Sequence, residues 1–399
     1  MSHLAGAIIF LTKDQAGTLM LEPLLFEPAA VWLSNTLQAA GLDRFLVVCH
    51  EGDRDAAASC FPEYTQFVTT GDENASEVLS QFLGEKNGRV LVFTRPVFVT
   101  DGGAKRLADP GALPRGESTG VYRLDAAALK KAVESSDSPD FEDVLRSKGE
   151  ELGEVAEWFY RSVIRLDSLL DLQDVQTVAR RMVAARLARQ GVRFVDPDAV
   201  YIGPHVTVGK GSTILPGTIL RGKTSIGEGC EIGPNTMIRD CTVGSGVIVN
   251  ASQLNESTVE DGTTIGPFAY IRPHCHVGPH VKVGDFVELK NSTIGEGTKI
   301  SHLTYVGDSD VGKRVNFGCG TVTVNYDGEA KFRTVVGDDA FLGCNTNLVA
   351  PVKVGDGAYT AAGSTITDDV PDDSLAIARS SQVVKKQWAA KRRSRKKPS

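Results

Sequence analysis

The chain has 399 residues, a formal net charge of −7, 41 glycines and only 7% aromatic side chains. That length has room for two domains, and no apolar run approaches the roughly 20 residues of a membrane span. Seven cysteines, with no CxxC pair among them, argue for reduced thiols in a cytoplasmic protein over a disulfide framework.

The N-terminal stretch MSHLAGAIIFL has no basic start before its apolar run. It reads as a first core strand, AIIFL at 7–11, rather than an export signal. A helical pattern follows at 29–42, a strand FLVVC at 45–49, a helix at 75–83, a strand RVLVF at 89–93, and a strand leading into a helix across 119–134. Alternation of this kind predicts a mostly parallel sheet with helices on its faces. A longer helix is predicted at 171–192.

From residue 200 the pattern changes. Apolar residues recur at every sixth position, through Ile202, Val208, Ile214, Leu220, Ile226, Ile232 and Ile238. The register slips by one at Val243, again before Ile294 and again at Val311, and a last set runs from Val336 to Ile366. A helix needs a period of 3.6 and a half-buried strand needs alternation, so a beat of six fits neither. It fits a coil in which every sixth side chain points at a common axis, with small residues such as Cys230, Cys241 and Cys275 sharing the interior two places earlier. This resembles the hexapeptide-repeat, left-handed parallel β-helix. Proteins of that fold are typically trimers with sites in the clefts between subunits, so the resemblance implies a homotrimer. The repeat by itself specifies no chemistry.

The departures from the beat carry more. IGPFAYIRP (265–273), VGDFVELKNSTIGEGTKISHLTYVGD (283–308), VNFGCGTVTVNYDGEAKFRT (315–334), LVAPVKVG (348–355) and AIARSSQVVKKQW (376–388) stand in order at compatible spacing. Together they resemble the acetyltransferase half of the bacterial bifunctional N-acetylglucosamine-1-phosphate uridyltransferase/glucosamine-1-phosphate N-acetyltransferase, over about residues 195 to 390. The resemblance implies transfer of an acetyl group from acetyl-CoA to the amine of glucosamine 1-phosphate, in cell-envelope precursor synthesis. An ammonium cannot attack, so a base must take a proton, and histidine, with an ordinary pKa of about 6.5, suits that task. His302 matches the family's general base and Glu288 the carboxylate that orients it. The Cys319 amide matches the oxyanion donor, a backbone role that tolerates a changed side chain. Arg272, Lys290 and Lys331 match the phosphate ligands. Tyr305, Asn316, Asn325 and Tyr326 match residues that hold the sugar, and Cys319, Cys344, Ala362, Arg379 and Lys385 match the coenzyme A side. Cys344 stands where the family often has serine.

The front half resembles the nucleotidyltransferase domain expected before such a coil, but with its chemistry removed. The family's glycine-rich triphosphate loop corresponds to FLTKDQAGTLM (10–20), with Gly17 its only glycine. Thr94-Arg95 falls at the family's Gly-Asp magnesium position, and an arginine cannot ligate a hard cation. Asp167 lies where the family has its second metal ligand. The region is also shorter than a full uridyltransferase domain, so uridyl transfer and Mg²⁺ are not expected, and a separate uridyltransferase is a conceivable partner. The implied organisation is a degenerate nucleotidyltransferase-like domain at 1–165, a linker helix at 166–195, a β-helix acetyltransferase domain at 196–378, and a coenzyme-A-contacting segment with a basic tail at 379–399.

Other readings are weaker. Residues 385–399 hold eight basic side chains and no acid, yet they suit a solvated tail better than a nucleic-acid-binding arm. His274, Cys275, His276 and His280 look like metal ligands, but Cys275 fits an interior slot, pointing away from its neighbours. Cys319 and Cys344 are not needed as nucleophiles for direct transfer. A related amino sugar or sugar nucleotide as acceptor, a bifunctional enzyme with residual uridyl transfer, and a non-catalytic trimeric scaffold are the rival functions.

Overall fold

The computed structural model describes residues 4–11, 18–70, 72–84, 88–108, 117–134, 149–154 and 162–394. The chain divides into two units, Met1–Thr207 with Pro216–Lys223, and Val208–Leu215 with Thr224–Ser399.

In the first unit the predicted alternation forms one six-stranded sheet. Its order is Gln66–Thr69, Phe45–Cys49, Leu4–Phe10, Arg89–Phe93, Glu117–Asp125 and Glu150–Glu154. The first four strands pair in parallel, and Glu117–Asp125 pairs antiparallel with both Arg89–Phe93 and Glu150–Glu154. Ala7, Ile8 and Ile9 are all buried, as strands covered on both faces must be. One face packs Ile8, Leu46, Val90 and Val92 against Phe82 and Leu83 of the helix Ala75–Leu83 and Leu129 and Val133 of the helix Ala126–Glu134.

The long helix spans Leu169–Arg189, two residues earlier at its start and three shorter at its end than predicted. Ser168 caps it by accepting from the Asp171 amide, and Gly191, at φ 93°, turns the chain out of it. Leu172, Val175, Ala179, Val183 and Leu187 form its buried stripe. A ribbon of Val97–Val99 with Val163–Arg165, and the helix Asp101–Ala108, were not legible in the sequence.

The second unit is a left-handed parallel β-helix whose strands stack into three parallel sheets. Sheet one includes Thr264–Ile265, Lys282–Asp285, Lys299–His302, Asn316–Phe317, Phe341–Leu342 and Tyr359–Thr360. Sheet two includes Tyr270–Ile271, Glu288–Lys290, Tyr305–Gly307, Val322–Val324 and Asn347–Val349, and sheet three includes His276–Val277, Thr293–Ile294, Ser309–Val311, Thr334–Val336 and Val352–Val354. The residues on the beat of six fill the axis: Ile265, Ile271, Val277, Val283, Leu289, Ile294 and Ile300 have no exposed surface. Each such burial contributes about 1.5–3 kcal/mol. The small residues two places earlier are also buried, Cys275 among them. Hydroxyls at those positions stitch coil to coil: Thr263 Oγ1 donates to the Gly278 carbonyl at 2.8 Å and accepts from the Val281 amide at 3.1 Å.

Several corners are turned by non-glycine residues in the left-handed region, at a cost in backbone strain. Phe268, Phe286 and Leu303 occupy one such column, with φ of 60°, 55° and 47°. All three side chains are exposed, and the two phenyl rings stack with centroids 5.5 Å apart.

Candidate functional site

Most strands of the coil are two or three residues long, but Lys282–Asp285 and Lys299–His302 run for four. Their pairing continues past the interior Val283 and Ile300 to bring Asp285 opposite His302. Gly284 permits this approach, since a Cβ there would lie 2.0 Å from the Ser301 carbonyl oxygen. Asp285 Oδ1 and His302 Nδ1 are 2.5 Å apart. The hydrogen bond from His302 is the main cause that holds the Asp285 carboxyl below the ordinary range, with Lys282 adding a smaller pull. An ionised carboxylate only accepts, so Nδ1 carries the hydrogen, and in the neutral imidazole it is then Nε2 that keeps a lone pair.

Cys319, Cys344 and Ala362 take the same place on later coils. Cys319 O accepts from the Asn345 amide and Cys344 O from the Gly363 amide, both at 2.8 Å. Gly318 and Gly343 lie so close to the next coil that a Cβ would be 2.4 Å from Cys344 N and 2.5 Å from Ala362 N respectively. Asp285, His302, Cys319, Cys344 and Ala362 therefore line one edge, about 4.8 Å apart per coil. Among the described residues the Cys319 amide N–H meets no acceptor. Arg379 reaches the end of this line, its Cδ 3.8 Å from where a Gly363 Cβ would be. Lys385 is exposed in the tail, and among the described residues no contact draws it to the line.

Sheet two, across the corner from His302, carries Glu288, Lys290 and Tyr305, with Arg272 just past its strand Tyr270–Ile271. Arg272 donates to Glu288 Oε1 at 2.9 Å, and Glu288 is the register partner of Tyr305. Lys290 Nζ lies 3.0 Å from Asp308 Oδ2. Asp308 is 5% exposed and also accepts from Asn291 Nδ2 at 2.6 Å and from Asn325 Nδ2. Burial alone would raise its pKa; the hydrogen bonds from Asn291, Lys290 and Asn325 outweigh burial and hold it below the usual carboxylate range.

Residues 325–333 leave the coil as a short ordered loop. Phe332 N donates to Asn325 O at 2.9 Å, Tyr326 bridges to Lys331, and Asp327 accepts from the Glu329 and Ala330 amides at 2.8 and 2.7 Å. Arg333 anchors the exit on Asp310. Asn316 lies on sheet one beside Lys299.

The structure thus joins Lys290 to Asn325 through Asp308, Tyr326 to Lys331, and Arg272 to Glu288. It does not join Glu288 to His302. The expected orienting carboxylate lies on sheet two and engages Arg272, while Asp285, in register on sheet one, holds the imidazole. Asp285 and Asp308 were both missed in the sequence. Their signal is coil length: Asp285 lies 17 residues before His302, and Asp308 17 before Asn325.

Elsewhere, Cys275 points into the coil and His276 pairs with Glu260 at 2.8 Å. In the first unit Thr94 donates to the Gly120 carbonyl at 2.9 Å, the Arg95 stem lies against Gly120, and Asp167 pairs with Arg165 at 2.6 Å. The stretch 12–17 with Gly17, and residues 395–399 of the basic tail, lie outside the described residues. Among the described residues no helix is long and apolar enough to cross a membrane.

Comparison with known proteins gives a consistent picture. The family model for the bacterial transferase hexapeptide (six repeats) matches residues 256–291 and 333–368. The bifunctional protein GlmU of Caldanaerobacter subterraneus subsp. tengcongensis is 47% identical over 284 residues, covering 69% of this chain and 62% of that protein. The bifunctional protein GlmU of Clostridium botulinum strain Langeland is 43% identical with the same coverage. The chain thus spans less than two thirds of the length of these relatives. A crystal structure of Arabidopsis UDP-N-acetylglucosamine acyltransferase is 17% identical, with a TM-score of 0.35 over 47% of this chain and 66% of that one, too remote to carry anything further. The matched region is thus closely similar to bifunctional GlmU proteins, and its coil carries the bacterial transferase hexapeptide repeat.

Proposed function

We propose that the coil is an acetyl-CoA-dependent N-acetyltransferase acting on glucosamine 1-phosphate, and that uridyl transfer has been lost from the front domain. The observation that carries the reading is the edge line: an imidazole with one nitrogen fixed and the other bare, next to an amide with no acceptor. The sugar amine attacks the thioester carbonyl carbon as His302 Nε2 takes its proton. The Cys319 amide donates to the oxyanion. The C–S bond then breaks, and the proton on His302 passes to the departing thiolate. Cys344, Ala362 and Arg379 continue the line from the transferred acetyl along the coenzyme arm, with Lys385 reaching its phosphates from the tail.

Arg272, Lys290 and Lys331 bind the sugar phosphate. Arg272 spends one hydrogen bond on Glu288 and Lys290 two on Asp308, so both keep donors for an anion. Tyr305, Asn316, Asn325 and Tyr326 hold the ring. The enzyme works as a cytoplasmic homotrimer. Loss of uridyl transfer is supported by Arg95 at the metal-aspartate position and by the Arg165 partner of Asp167. A separate uridyltransferase would then complete the pathway step.

The test is incubation with acetyl-CoA and glucosamine 1-phosphate, with acetylated sugar followed by mass spectrometry, and UTP with Mg²⁺ in a parallel reaction. Acetylated sugar without UDP-sugar is expected. His302→Ala should lower the rate by roughly 10²–10⁴. An indifferent His302→Ala would rule out His302 as the base, no acetylation by the folded protein would leave a different acceptor or the scaffold, and UDP-sugar in the second reaction would restore the front domain as an enzyme.

A further inference from the structure

We propose that Asp285, rather than Glu288, is the positioning residue for His302, holding its Nδ1 so that Nε2 is the base. The inference rests on the acetyltransferase reading above and deepens it. Three features carry it. The contact is set by the backbone, because Asp285 and His302 are direct register partners on neighbouring strands. The approach has a dedicated device in Gly284, where any side chain would strike the Ser301 carbonyl. Glu288 is already engaged, its Oε1 taken by Arg272 at 2.9 Å.

The consequence is a division of labour between two carboxylates. Asp285 selects the imidazole tautomer and faces the positive charge that forms when Nε2 takes the amine proton. Glu288 instead orients Arg272 on the sugar-phosphate side. Lys282 and Lys299 are the other charged side chains on the two paired strands, and the flanking strands Thr264–Ile265 and Asn316–Phe317 bring no titratable group. Cys319, one coil on, is the other titratable neighbour, and among the described residues Asp285 is the carboxylate on this part of sheet one that faces His302.

Asp285→Asn keeps the shape but offers either an amide oxygen or an amide N–H, so the tautomer is no longer selected. The full-length protein is assayed by steady-state acetylation from about pH 5 to 9. Asp285→Asn is expected to lower kcat by about 10- to 100-fold, less than the roughly 10²- to 10⁴-fold attached to the base itself. Both KM values should stay within about twofold, and the acid limb of the kcat profile should move to lower pH, because the carboxylate that favours imidazolium is gone. Glu288→Gln is expected to act mainly on the KM for the sugar phosphate. Asp285→Asn with wild-type kcat and profile, beside a Glu288→Gln that loses kcat, would overturn the assignment. So would a fall in kcat with an unmoved profile and a lowered melting temperature, which marks a merely structural role. If the wild type does not acetylate the sugar at all, the functional reading fails, and the pairing is decided separately. Titration of ¹⁵N-histidine signals, with His302→Ala identifying the one concerned, moves its midpoint on Asp285→Asn if the contact exists and leaves it unmoved if it does not.

Discussion

Replacing Asp308 by alanine strips three donors of their shared acceptor. In the structure its carboxylate is 5% exposed and takes hydrogen bonds from Lys290, Asn291 and Asn325. Removing one partner of a buried ion pair costs about 3–5 kcal/mol, because the other charge is left without compensation. Lys290 can relax part of the way to solvent, its side chain being 18% exposed, so the lower half of that range is expected. At about 2–4 °C per kcal/mol for a unit of this size, the melting temperature should fall by roughly 6–16 °C. The substitution also frees Lys290 and Asn325 from fixed positions, so the KM for the sugar phosphate should rise with it. The sign of the pH dependence follows from the depressed pKa of Asp308. Its stabilisation is complete above the unfolded value of about 3.9 and is lost as pH falls through the lower folded value. Differential scanning fluorimetry of wild type and Asp308→Ala across pH 3–7 should therefore show a gap that is constant at neutral pH and narrows only below about pH 4. A variant melting within about 1 °C of the wild type at pH 7 would refute the reasoning, since the three contacts would then be mutually replaceable.

Three further outcomes are expected. Burial pushes up the thiols of Cys49, Cys60, Cys230 and Cys275, and that of Cys241 to about 11; alkylation at pH 8 read by peptide mass spectrometry should mark Cys344 and Cys319 first, and saturating acetyl-CoA should slow both. Gly284→Ala should push the two long strands apart, lowering stability by about 1–3 kcal/mol in thermal melts and kcat with it. Arg272→Lys should not be tolerated as conservative if, as proposed, one forked guanidinium serves Glu288 and the sugar phosphate together; an unchanged KM for the sugar phosphate would count against its place in the pocket.

The coil was legible because its interior admits little besides aliphatic and small side chains, so one residue in six announces itself. Ile265, Ile271, Val277 and Val283 fell where the beat put them. The candidate residues were legible through the pieces HLTYVGD and NYDGEAKFRT. The partner of His302 was not. Which residue of the preceding coil meets the imidazole depends on where the register slips, because a coil of 17 residues puts Asp285 in line where one of 18 would put Gly284. The apolar beat records the slip before Ile294, but hydropathy alone does not say which polar side chains the shortened coil brings opposite each other. In the front unit the strand Gln66–Thr69 and the ribbon at Val97–Val99 were too short to show a period, and their burial comes from neighbours distant in sequence.

The loop at 325–333 enters and leaves at a corner without altering the pairing on either side. Val322, Thr323 and Val324 keep their partners Asn347, Leu348 and Val349, and Thr334, Val335 and Val336 keep Ser309, Asp310 and Val311. A corner of this kind works as a splice point. Residues can be added or exchanged there while the stack keeps its height and the edge from His302 to Ala362 keeps its spacing. On the proposed reading, the part of the acceptor wall that this loop supplies is separable from the transfer line, so editing the loop would change what Asn325, Tyr326 and Lys331 hold while the edge that moves the acyl group stays as it was.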